Sequence, residues 1–157
     1  MASEIKVDTI VNAGGDNDTG IDLATNDQIL LKVANATKLT MNSTGQTTIV
    51  GEGGTTTTSL QNGLVKAWMK LNGTGTAAIT DDFNFSSIND ENTGQYQLIF
   101  TNNMANSTYA ISVHDNNFGN GWADSEGTSG FDIRRRNESA AYADSSSIWV
   151  IVAGDLA

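Results

Sequence analysis

No window of this chain carries apolar residues sustained at three- and four-residue spacing, so the pattern of an amphipathic helix is missing. What recurs is a short strand-like run and then a Thr-Gly, Asn-Gly or Gly-Gly turn, as in "KLTMNSTGQTTIV". Threonine is abundant, and its stiff, branched β-carbon suits a pleated backbone. There is no proline, so the turns rest on glycine, asparagine and aspartate. The chain is expected to be all-β.

Two textures divide it. Residues 4 to 50 read as very short runs, "EIKVDTIV", "GIDLA", "QILLKV", "KLTM" and "QTTIV", and no aromatic precedes Trp68. Little large apolar surface is available there to offset the entropy of ordering the backbone. The spaced Ile, Leu, Val and Met nonetheless argue against disorder, so this region is expected to order against copies of itself. "GEGGTTTTSLQNG", residues 51 to 63, reads as a linker.

After position 64 the alternation is stronger. "LVKAWMKL" sets Val65, Ala67, Met69 and Leu71 on one side and Lys66, Trp68 and Lys70 on the other. Tyr96, Leu98 and Phe100 share a face, as do Tyr109, Ile111 and Val113, and Phe131, Ile133 and Arg135. "SSIWVIVAG" is apolar on both faces and reads as a strand covered on both sides. Residues 64–157 are therefore expected to form a β-sandwich, jelly-roll-like, or a small barrel.

The glycines of "KLNGTGTAA", residues 70 to 78, raise the question of a phosphate-cradling loop. Such a loop needs a helix directly after it. The adjoining stretch "AAITDDFNF" is strand-like and acidic instead, so a hairpin turn is expected.

The formal net charge is −10, with 18 acidic residues against 8 basic ones. This balance repels nucleic-acid phosphates and anionic lipid. There is no cysteine, hence no disulfide or thiolate metal site. "IWVIVA" is far short of the ~20 residues that cross a membrane, and "MASEIKVDTI" lacks the form of a secretory leader. No cofactor, no metal, no nucleic-acid partner and no membrane insertion are expected.

Candidate sites are few. Asp16, Asp18, Gly20 and Asp22 resemble a calcium loop but lack its glycine position and its distal glutamate, so a solvated turn is expected. Asp81-Asp82 and Asp90-Glu91 are adjacent pairs, and strand neighbours point to opposite faces, which does not suit a two-carboxylate glycosidase. His114 has no nucleophile motif near it. No enzyme is expected. Arg134 to Arg136 could hold an anionic group, although Arg134 and Arg136 share a face with Asp132 and suit ion pairs between subunits. "DNNFGNGWADSEGTSG", residues 115 to 130, reads as a long loop, and long loops on rigid sheets carry function. Trp122 and Phe118 would offer stacking faces to sugar rings, with Asn116, Asn117, Asn120 and Asp124 as hydroxyl partners. The competing reading has both aromatics packed down to pin the loop.

Residues 65 to 113 carry a lysine-alanine-tryptophan start, an Asn-Gly-Thr-Gly-Thr turn, a Phe-Asn-x-Ser-Ser-Ile strand and a Gly-x-Tyr-x-x-x-Phe strand. The positions include Lys66, Ala67, Trp68, Asn72, Gly73, Gly75, Phe83, Ser86, Ser87, Ile88, Gly94, Tyr96, Phe100 and Tyr109. This stretch, about a third of the chain, resembles the C-terminal domain of tailed-bacteriophage fibre proteins, and "SEIKVDTIVNAGG" looks like the N-terminus of such proteins from phages of aquatic bacteria. Where the family usually has proline after the methionine, Met104 is followed by Ala105. The resemblance implies a homotrimeric virion fibre, made in the host cytoplasm, with an intertwined shaft and a distal head. On that reading, residues 1–19 attach to other virion proteins of tail or capsid, residues 20–63 form shaft and linker, and residues 64–157 form the head. "SEIKVDTIV" is a strand-forming stretch without a nearby partner, which makes Glu4, Ile5, Val7 and Ile10 the expected attachment residues. The function implied is that of a short tail fibre touching host surface polysaccharide; the alternative is a capsid-decorating or head fibre with a purely structural role.

Overall fold

In the computed structural model, which describes residues 7–12, 14, 18–51, 54–117 and 119–156, the chain is nearly all β and built from antiparallel sheets. It divides into two units, Met1–Asn62 and Gly63–Ala157.

The first unit is a six-stranded meander of β1 (Thr9–Val11), β2 (Gly20–Asp22), β3 (Gln28–Val33), β4 (Ala36–Asn42), β5 (Thr47–Val50) and β6 (Thr57–Ser59), in that spatial order. Register lines Ile10, Ile21, Leu31, Leu39 and Ile49 across five adjacent strands, with Ile29 opposite Met41 beside that row. Cross-strand partners share a face, so one side of the sheet is aliphatic. The other side carries Asp22 and Lys32, whose ion pair closes at 2.6 Å. Ala34 and Asn35, both at positive φ, make the two-residue turn between β3 and β4, a turn whose twist matches that of the strands. Among the described residues of this unit none is buried, and Ile10, Ile29, Leu31, Val33 and Met41 are exposed.

Two expectations need correction here. The stretch read as a linker contains β6 and a single helical turn, α1 (Leu60–Gly63). The stretch read as lacking a nearby partner supplies β1, which pairs with β2.

The second unit holds β7 (Val65–Asn72), β8 (Ala78–Phe83), β9 (Phe85–Asn92), β10 (Gln95–Phe100), β11 (Ala110–Asp115), β12 (Asn120–Gly127), β13 (Gly130–Arg136) and β14 (Ile148–Ala153). They form two four-stranded sheets, β12-β13-β10-β9 and β11-β14-β7-β8, which share one core. Tyr96, Leu98, Phe131 and Ile133 come from the first sheet and Ala67, Met69, Leu71, Ile148, Val150 and Val152 from the second. An aromatic cluster closes one part of it: Phe100 stacks on Phe85 at 5.1 Å and meets Phe131 at 5.6 Å and Tyr109 at 5.7 Å. The Tyr109 hydroxyl donates to the Gly127 carbonyl at 2.8 Å, and burial pushes its pKa up to about 12.

The glycines of the 70–78 stretch lie in the hairpin between β7 and β8. Gly73 lies against the Tyr96 ring, and any Cβ there would collide with the phenol. Val65, expected inside with Ala67, is exposed, because the register shifts between Val152 and Ala153.

Candidate functional site

The second unit presents two outer sheet faces of opposite character. On β11-β14-β7-β8, register places Ile151 between Ser112 and Trp68, Trp68 next to Phe83, and Trp149 between His114 and Lys70. Val65, Trp68, Phe83, Trp149 and Ile151 are 38 to 50% exposed. Among the described residues of this unit, the strand expected to be covered on both sides is thus covered on one only. Lys70 reaches over the Trp149 ring, with its Nζ at 5.7 Å from the centroid, and stands opposite Asp81 in register. A groove of about 350 Å³ runs between these side chains.

The outer face of β12-β13-β10-β9 is polar. Gln97 lies between Asn89 and Asp132, and Asp132 is opposite Asp124. Residues 115 to 130, expected as a long loop, are mostly strand. β12 begins at Asn120, and its small residues Gly121 and Ala123 turn inward, where Gly121 leaves room for the Val113 side chain. Asn120, Trp122 and Asp124 consequently project together from the outer face. Asn116 and Asn117 lie in the turn before β12. The Asn116 side chain is taken up by Ser145 and Ser146, and the Asn117 amide donates to Asp115. Phe118, Glu4 and Ile5 lie outside the described residues, as does Asp16.

Trp122 is half-buried, and its ring centroid lies 6.3 Å from that of Tyr142. The Arg136 guanidinium carbon sits over both rings, 5.2 Å from Trp122 and 4.9 Å from Tyr142. Tyr142, which sequence reasoning missed, is bridged to Arg136 along the backbone.

The three consecutive arginines have three environments. Arg134 bonds Glu91 and Asp132, each at 3.0 Å, within one chain. Arg135 points inward and pairs with Asp115, each side chain 3% exposed. It also donates to the carbonyls of Ala143 and Asp144. Burial alone would raise the Asp115 pKa; the hydrogen bonds from Arg135 and from the amides of Asn117 and Gly119, with the arginine charge, outweigh it and hold the carboxyl below its usual value. Arg136 makes no ion pair among the described residues.

Two of the carboxylates considered for catalysis have clear structural partners. Asp82 accepts the Phe85 amide at 3.1 Å, and Glu91 holds Arg134. Among the described residues no cluster of His, Asp and Glu is arranged to hold a metal, and no helix is long and apolar enough to cross a membrane. No protein-family model, curated protein or solved structure matches the chain.

Proposed function

We propose that this chain is a non-catalytic fibre subunit of a tailed-bacteriophage virion, that it works as a parallel homotrimer, and that Gly63–Ala157 touches the host surface. The observation that carries the proposal is the aliphatic face of the six-stranded sheet, open across five strands with no buried residue among those described. A single-layer sheet with one apolar face needs a second layer to be stable. Copies of the same chain supply that layer at no cost in additional sequence, and side-by-side copies of a short-stranded meander make a shaft. The motifs in residues 65 to 113 supply the resemblance to fibre proteins.

The apolar outer face around Trp68 and Trp149 supports the same reading. At roughly 200 Å² per fully exposed aromatic side chain, its five open side chains leave several hundred Å² of apolar surface, the size at which a patch marks an interaction site. Its one lysine is matched by Asp81, so the face is close to neutral. In a chain of net charge −10, a neutral face is where copies approach with least repulsion. The polar face bearing Trp122 then remains outward.

Sedimentation equilibrium on the purified chain should give a mass near 50 kDa, about three times 16.6 kDa, with Trp68 and Trp149 shielded from acrylamide quenching. A folded 16.6 kDa monomer would remove the proposal. Immunolabelling of purified particles should mark the tail; label spread over the capsid would favour the decorating fibre instead.

Attachment is assigned to the stretch containing Glu4, Ile5, Val7 and Ile10. β1 is an edge strand of its sheet, and Val7 and Ile10 are exposed, which suits strand addition to another virion protein. The double variant Ile5→Lys, Val7→Lys should fold and trimerise yet be missing from particles. Normal incorporation, measured by mass spectrometry of virions, would place the attachment elsewhere.

A further inference from the structure

In an acidic chain, an arginine without an acid partner stands out. Arg134 and Arg135 are both ion-paired. Arg136 makes neither an ion pair nor a side-chain hydrogen bond among the described residues, and its Nε is buried without an acceptor. The guanidinium is nevertheless held in place, because it lies over the rings of Trp122 and Tyr142 at 5.2 and 4.9 Å. The residue as a whole is only half-buried and keeps access to solvent. A fork fixed in this way loses little freedom when it takes up a ligand.

We propose that Arg136, Trp122 and Tyr142 form a subsite for a sugar residue bearing a carboxylate, of the uronic or sialic class. A planar carboxylate matches the guanidinium edge through two parallel hydrogen bonds. Tyr142 is 40% exposed and Trp122 half-buried, so an apolar surface for the C–H face of a sugar ring adjoins the cation. Asn120 stands opposite Arg136 in register and is exposed, which puts a side-chain amide beside the site for hydroxyl groups. Asp124 and Asp132 occupy the same sheet face and repel densely charged polymers, so nucleic acid and polyphosphate are disfavoured where a ligand with one charge per sugar is tolerated. The natural source of such a ligand rests on the fibre reading above; the binding itself does not.

The test is calorimetric titration of the full chain with an oligogalacturonate, with the corresponding neutral galactose oligomer, and with inorganic phosphate. Saturable binding of the acidic oligomer alone is expected. Arg136→Gln should weaken it about tenfold or more, the scale of a lost charge-assisted pair. Arg136→Lys should recover only part, because an ammonium keeps the charge but not the fork. Equal binding of the neutral oligomer, binding of phosphate as tight as that of the oligomer, or unchanged binding by a folded Arg136→Gln variant would each overturn the subsite. If that variant fails to fold, the comparison of acidic and neutral oligomers on the unaltered chain decides alone. A trimer that reaches virions yet binds no acidic oligomer sinks the subsite and keeps the fibre; a chain that binds but is missing from particles does the reverse.

Discussion

Arg135→Ala should destabilise the second unit by about 3–5 kcal/mol, the usual cost of removing one partner from a buried ion pair. Asp115, 3% exposed, would keep, among the described residues, the amides of Asn117 and Gly119 as donors but no opposing charge. The carbonyls of Ala143 and Asp144 would lose their donor as well. Urea unfolding monitored by near-ultraviolet circular dichroism measures the loss, and a change below about 1 kcal/mol would mean that the pair contributes as an exposed one does. The same pair gives the unaltered protein an acid limb. The Asp115 pKa is lowered in the folded state, so its contribution is complete above the ordinary aspartate value of about 4. It fades as pH falls through that value toward the lower folded one, because protons then bind the unfolded chain more readily. Arg135→Ala should flatten this limb.

On the trimer proposed above, Leu31→Lys should convert the assembly from three chains to one. Leu31 lies near the middle of the aliphatic row, between Ile21 and Leu39. Burying an unpaired ammonium between copies costs several kcal/mol per site, and a threefold assembly meets that cost three times. Sedimentation should report about 16.6 kDa. Within the monomer the side chain is exposed, so the second unit should stay folded, with Trp68 and Trp149 now open to acrylamide quenching. A variant that stays trimeric would show that the row is not where copies meet.

The alternation of Tyr96, Leu98 and Phe100, and of Phe131, Ile133 and Arg135, was readable in the sequence because a half-buried strand prints its inner face at every second residue. All six are buried. The residues around Trp122 were harder to read. Glycine, aspartate and asparagine suggest a loop, yet Gly121 and Ala123 are small because they point into the unit, where Val113 and Ile133 approach. Composition reports residue size without reporting which side of a sheet needs it. Arg136 and Trp122 meet across two strands, and Tyr142 joins them from beyond β13; no local pattern encodes such a meeting. The alternation of three arginines was the available signal: the middle one had to face inward, and the outer two did not.

Gly73 has a consequence for how such sequences diverge. Its backbone does not demand glycine by conformation; the Tyr96 ring demands it by occupying the space where a side chain would begin. Tyr96 is in turn held by Asp144, whose carboxylate accepts the phenol at 2.8 Å and the Gly94 amide at 2.7 Å. Four positions, 73, 94, 96 and 144, therefore share one constraint. In related chains they should change together or not at all: an alanine at 73 calls for a smaller residue at 96, and the carboxylate at 144 then loses one of its two donors.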